Sequence, residues 1–179
     1  LRALNRYYDA PLSIMALAEL GALVGSDVPF CVLGGTAMVE GRGERLRKLP
    51  DMPDCTFVIC KPDFPISTPE LFRRVDARTS RCRPDTDGIC AALADGDMPK
   101  LARRMYNVFE DVLTRREGEI AAIKSRLLDG SALGAVMSGT GSAVFGLFAD
   151  ADSAAYAKRR LARDYAECFL TETIDRLEV

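Results

Sequence analysis

Apolar residues at helical spacing open the chain. Leu1 to Tyr8 reads as one helix and Ile14 to Val24 as a second, with Ser13 in the N-cap position between them and Gly25 as the stop. No capping residue and no initiator Met precedes the first helix, so the sequence is expected to begin inside a helix of a longer chain. The pattern then shortens. Val28 to Leu33 and Thr36 to Val39 are predicted as brief strands around Gly34-Gly35, followed by a turn at Gly41 and Gly43, and Arg45 to Asp54 as a connection.

A run of β-branched and aromatic residues, Thr56 to Cys60, predicts a buried strand and the start of a second unit. Pro62 to Ser67 is predicted as an irregular loop. Ser67-Thr68-Pro69-Glu70 has a hydroxyl cap and a Pro at the first helical position, which starts a helix running to Asp76. Beyond a polar loop, Ala77 to Asp87, helices are expected over Gly88 to Ala94, Pro99 to Tyr106 and Phe109 to Leu128. Two strands, Gly134 to Met137 and Ala143 to Phe148, flank the loop Ser138-Gly139-Thr140-Gly141-Ser142. A helix capped by Asp152 and running to Arg163, then a strand from Cys168 to Ile174, complete the order. This is an α+β pattern of helices packed on a sheet, with no internal repeat.

Composition narrows the class. The 179 residues are 48% hydrophobic and 28% charged, the balance of a chain able to bury a core. A net charge of -2 argues against nucleic acid as a partner, because backbone-tracking proteins carry a basic excess, and favours a small-molecule substrate. The Arg pairs 73–74, 103–104, 115–116 and 159–160 stand beside carboxylates and read mostly as solvated helix faces. No apolar run approaches the roughly 18 residues a membrane helix needs, so no membrane association is expected. Six cysteines without a C-x-x-C, and no histidine, make a metal site improbable on composition. Cys31, Cys55, Cys60 and Cys168 lie in or beside apolar runs and are expected to be buried free thiols in a reducing compartment, the cytoplasm.

Three segments carry candidate chemistry, each with a plainer structural account. In 138–142 the glycines permit a tight turn and expose backbone N–H groups to a ligand, or merely close a hairpin. Asp27, in Gly25-Ser26-Asp27-Val28-Pro29-Phe30, is a carboxylate at a helix-to-strand junction. It suits a base for a hydroxyl attacking a phosphoryl group, or a turn residue. Thr68 and Phe72 place a hydroxyl and an aromatic at a helix start, where a base can stack, or where the ring fills core.

The combination of Gly25-Ser26-Asp27-Val28-Pro29-Phe30, Gly34-Gly35-Thr36-Ala37, Glu40-Gly41-Arg42-Gly43-Glu44, Lys61-Pro62, Ser67-Thr68-Pro69, Asn107-x-Phe109-Glu110 and 138–146 resembles the 4-diphosphocytidyl-2-C-methyl-D-erythritol kinases, a branch of the GHMP kinases. The resemblance implies two domains. Residues 1–50 would be the end of a ribosomal S5-like ATP-binding domain, and 55–179 a GHMP kinase C-terminal domain with a ferredoxin-like mixed sheet. It further implies ATP and Mg²⁺ as cofactors and transfer of the γ-phosphoryl group to a 2-hydroxyl of the cytidyl substrate, in non-mevalonate isoprenoid synthesis. Asp27 matches the family's catalytic aspartate, Thr68 and Phe72 lie at its cytidine end, and Gly139, Thr140, Gly141 and Ser142 match its C-terminal glycine loop. The family's upstream phosphate loop and its lysine have no counterpart in this sequence, so the chain by itself is expected to be inactive. The alternative is a non-catalytic α+β module that binds a ligand or partner. A GHMP kinase acting on homoserine or mevalonate is disfavoured, because Phe72 and the Glu40–Glu44 segment suit a cytidine-using enzyme better.

Overall fold

The computed structural model describes residues 1–79 and 82–174, so part of the predicted 77–87 loop and the last five residues lie outside the described chain. Two compact units divide the described residues, one made of 1–52 with Ile174, the other of 53–173.

The first unit contains helices α1 (Arg2–Tyr7), α2 (Ile14–Ala22) and α3 (Val28–Leu33), then strands β1 (Ala37–Glu40) and β2 (Arg45–Lys48). Ser13 caps α2 as expected, its Oγ accepting from the Ala16 N–H at 3.1 Å. The predicted strand over 28–33 is a helix. Its β-branched residues suggested extension, but Pro29 stands at the first turn, where a missing N–H costs nothing. The buried residues are Pro29 and Val32, three apart, which is a helical rather than an alternating spacing. The connection predicted from Arg45 also begins as a strand. β2 is polar because only Leu46 is partly buried, and its antiparallel register on β1, Glu40 against Arg45, is set by the Gly41–Glu44 turn.

The second unit opens with β3 (Thr56–Lys61) and continues through α4 (Thr68–Asp76), α5 (Thr86–Ala94) and α6 (Met98–Ala102) to α7 (Gly118–Asp129). The hairpin β4 (Gly134–Met137) and β5 (Val144–Phe148), then α8 (Ala151–Leu161) and β6 (Glu167–Glu172), complete it. The sheet order is β4-β5-β3-β6 with every neighbour antiparallel, so the sheet is not mixed as expected. Strand, helices, hairpin, helix, strand in this order is the split βαβ, ferredoxin-like arrangement, which brings the first strand between the third and fourth.

The long helix predicted from Phe109 breaks into two 3-10 turns, Val108–Val112 and Arg115–Glu117, before α7. Asn107 caps the first, and the Glu117 carboxylate turns back to the Thr114 N–H at 2.6 Å, so local side-chain bonds win over helix propagation. The helix expected over 99–106 stops at Ala102. Asp150, not Asp152, caps α8, accepting from the Ser153 N–H at 2.8 Å. Ser67 precedes α4 without capping it.

The core forms where one face of β3 and β5 meets α7 and α8. Val58, Cys60, Val144 and Phe148 from the strands pack with Ile120, Ile123 and Leu127 of α7 and with Ala154, Ala157 and Leu161 of α8. The strand residues alternate and the helix residues repeat every three or four, so both periods point at one interior. All six cysteines are free; Cys60 and Cys168 are buried as expected, Cys55 is half-buried and Cys31 is exposed, because its position on α3 faces away from Pro29 and Val32. No helix among the described residues is long and apolar enough to cross a membrane. Leu127→Ala empties a fully buried position at the centre of this cluster. It is expected to cost about 2–5 kcal/mol of stability, read as a lower urea midpoint.

Candidate nucleotide and substrate site

At the end of the β4–β5 hairpin the chain closes on itself. The Ser138 N–H donates to the Ala143 carbonyl at 2.8 Å and the Gly141 N–H to the Ser138 carbonyl at 2.9 Å. Gly141 has a φ of +81°, and a Cβ there would lie 2.6 Å from the Met137 sulfur and 3.0 Å from Ile66 Cδ1, so both backbone and space demand glycine. Among the described residues, no acceptor takes the N–H of Gly139 or Thr140, and neither residue is buried. Outward N–H groups in a left-handed loop suit an anion. Ser142 faces the other way. It is 4% exposed, and its hydroxyl donates to the Phe64 carbonyl at 2.8 Å, so it anchors the loop to the segment after β3.

Thr68 opens α4 with its hydroxyl 2.8 Å from that of Thr140. One turn later Phe72 is 52% exposed, which excludes the core-filling account, and its ring meets that of Phe109 edge-on, centroids 5.0 Å apart. The structure therefore brings Thr68 to the glycine loop and leaves Phe72 with a free face. Two concavities flank this group. One, of about 500 Å³, is lined by Met105, Tyr106, Asn107, Phe109, Gly139 and Phe145. The other, of about 450 Å³, is lined by Phe64, Ser67, Leu71 and the Glu70–Arg74–Glu117 cluster.

Arg74 binds Glu70 at 2.5 Å and Glu117 at 3.1 Å, tying α4 to the turn before α7. Burial pushes the Glu117 carboxyl up, but the Thr114 hydroxyl and N–H together with Arg74 outweigh it and hold the pKa below the ordinary carboxylate value. The Tyr106 hydroxyl donates to Asp111 at 2.7 Å, and that bond pushes its pKa up to about 12.

Two residues went unassigned in the sequence, although they stand in the Asn107-x-Phe109-Glu110 motif. The Asn107 amide donates to the Met137 and Gly139 carbonyls, both at 2.7 Å, and a Glu110 oxygen accepts the Met137 N–H at 2.6 Å. The capping spacing was visible; the partners some 30 residues away were not.

Asp27 belongs to the first unit. It precedes α3 with an exposed carboxylate that makes no cap bond. The turn that carries it is backed by the β1–β2 hairpin. Gly43, at φ +113°, lies so close that a Cβ would come within 2.1 Å of the Ser26 carbonyl oxygen. The Glu44 carboxylate closes this hairpin tip on the Arg42 N–H at 2.6 Å; bonds from its own N–H and that of Arg42 hold its pKa below the ordinary value.

No group of three or more Asp, Glu, Cys or His among the described residues could hold a metal ion, so a divalent cation finds no ready ligand set in them. What the described residues do offer is two unpaired N–H donors beside an exposed aromatic face, an arrangement chemically able to receive an anion and a planar ring. Residues 89–167 match the family model for the GHMP kinases C terminal. A solved structure of 4-(cytidine 5'-diphospho)-2C-methyl-D-erythritol kinase superposes on 96% of the chain with a TM-score of 0.78 and 31% identity, over 61% of its own length. The homoserine kinase of Cytophaga hutchinsonii, at 19% identity over 95% of the chain and 60% of its own length, TM-score 0.72, shares the fold.

The chain is thus similar, over residues 89–167, to the GHMP kinases. Within them it is similar to 4-diphosphocytidyl-2-C-methyl-D-erythritol kinase of Syntrophomonas wolfei, 41% identical over 93% of this chain. It spans 59% of the length of that relative.

Gly43→Ala is expected to lower stability by more than about 1 kcal/mol, because the new Cβ forces strain at a left-handed φ and displaces Ser26. A denaturant midpoint equal to that of the unsubstituted protein would contradict this packing.

Proposed function

We propose that the protein carrying this chain transfers the γ-phosphoryl group of ATP to the 2-hydroxyl of 4-diphosphocytidyl-2-C-methyl-D-erythritol, a step of non-mevalonate isoprenoid synthesis. The similarity to kinases named for that substrate, over 93–98% of the chain in the relatives from Syntrophomonas and Caldicellulosiruptor, carries the reading. ATP supplies the phosphoryl group. Asp27 takes the proton of the acceptor hydroxyl as its oxygen attacks phosphorus, a role that an exposed carboxylate free of cap bonds is available for. Residues 139–142 support the nucleotide phosphates through the free N–H groups of Gly139 and Thr140, with Ser142 as anchor. Thr68 and the open face of Phe72 meet the cytidyl group, where stacking on an aromatic contributes about 1–3 kcal/mol per base. Mg²⁺ would have to be held by groups other than a cluster of the described residues. Six free cysteines accord with a cytoplasmic setting.

Residues 1–52 would then belong to the ATP-binding domain and 53–173 to the GHMP kinase C-terminal domain. A non-catalytic module is not favoured, since the relatives matched over most of the chain are named kinases.

In the full-length protein, Asp27→Asn is expected to lower kcat by roughly 10²–10⁴ with little change in substrate KM, measured as ADP release with the cytidyl acceptor. Turnover of homoserine or mevalonate in place of that acceptor would overturn the substrate. A folded protein inert with all three would overturn the kinase reading.

A further inference from the structure

Between α6 and α7, Asn107 and the turn it caps reach both halves of the candidate site. The Asn107 amide group is fully used. Its Nδ2 donates to the Met137 and Gly139 carbonyls, on either side of Ser138, and its Oδ1 accepts the Phe109 N–H at 3.0 Å. Glu110 takes the Met137 N–H with one oxygen and the Lys124 ammonium with the other. Phe109, between them, sets its ring against Phe72. The Thr68–Thr140 hydroxyl bond joins the two halves directly.

The consequence for the loop follows from the peptide plane. In a trans peptide the C=O and N–H point in opposite directions. The Gly139 carbonyl is drawn to Asn107, so the Thr140 N–H of the same peptide is aimed away from it, where no acceptor of the described chain takes it. The Met137 carbonyl behaves alike, and the Ser138 N–H opposite it is delivered to Ala143. Without the amide, the Gly139–Thr140 peptide can rotate, while the Met137–Ser138 peptide keeps its bond to Ala143.

We infer that Asn107 is a positioning residue that aims the Thr140 N–H at the nucleotide phosphates, and that Phe109 of the same segment sets the Phe72 ring for the cytidyl group. This rests on the phosphotransfer reading above for the identity of the ligands. The segment thereby orients donor and acceptor together from the wall of the concavity beside the glycine loop.

Asn107→Asp tests it, because the shape and the acceptor for the Phe109 N–H remain while a carboxylate replaces the donor that faces two carbonyls. Asn107→Ser, whose hydroxyl keeps the cap but cannot span both carbonyls, serves if the first variant does not fold. In the full-length protein the folded variant is expected to raise the KM for ATP about tenfold or more, the loss of two hydrogen bonds. Phe109→Leu is expected to raise the acceptor KM several-fold with the ATP KM within twofold. Kinetic constants of the Asn107 variants within twofold of the parent would overturn the inference. Should the parent not phosphorylate the cytidyl acceptor at all, the functional reading fails separately, and the Thr140 amide resonance decides. A shift on adding a non-hydrolysable ATP analogue to the parent, absent in Asn107→Ser, sustains the inference, and no shift in the parent overturns it.

Discussion

The larger unit depends on the pairing of β3 with β5. β3 lies between β5 and β6 with both edges bonded, and its register on β5 runs from Thr56 opposite Phe148 to Cys60 opposite Val144. A slip of one residue would turn Val58 and Cys60 out of the interior that α7 and α8 close. The same register decides where the hairpin loop emerges. It brings Ser142 beside the chain leaving β3, where its hydroxyl holds the Phe64 carbonyl. A packing constraint in the sheet thus fixes the base of the glycine loop.

From that base the second-unit half-site is assembled out of parts far apart in sequence. Thr68 and Phe72 come from the first turns of α4, Phe109 and Asn107 from a 3-10 turn, and Thr140 from the hairpin. Each is held by short-range bonds of its own, and they meet because the sheet order places their elements at one end. The proposed phosphoryl transfer would need no more than this, since such a reaction asks mainly for fixed donors and aligned partners rather than covalent chemistry from the protein.

The smaller unit treats its carboxylate similarly. Asp27 is left without a cap bond while the backbone beneath it is braced by the hairpin at Gly43. The Glu40–Glu44 motif is thereby explained as packing and turn closure: Glu44 binds the Arg42 N–H, and Gly43 leaves room for Ser26. A glycine needed for this purpose looks no different in sequence from one needed for a turn alone.

By itself the sequence determined the elements whose signals are local: the Ser13 cap, the alternating strand over Thr56–Cys60, the β4–β5 hairpin, and the helical period of Ile120, Ile123 and Leu127. It also pointed to the glycine loop, Thr68, Phe72 and Asp27 as chemistry-bearing positions through their family resemblance. Misreadings arose where two local preferences competed, as at 28–33, where β-branched residues masked a Pro-initiated helix, and at 109–117, where side chains bond the backbone and interrupt the helix. What only the tertiary structure decided was direction: Ser142 inward and the Thr140 N–H outward, Phe72 half-exposed, Asn107 bridging Met137 and Gly139. Direction depends on partners 30 to 80 residues away, which hydrogen bonds select through geometry and which no local pattern of residue types encodes.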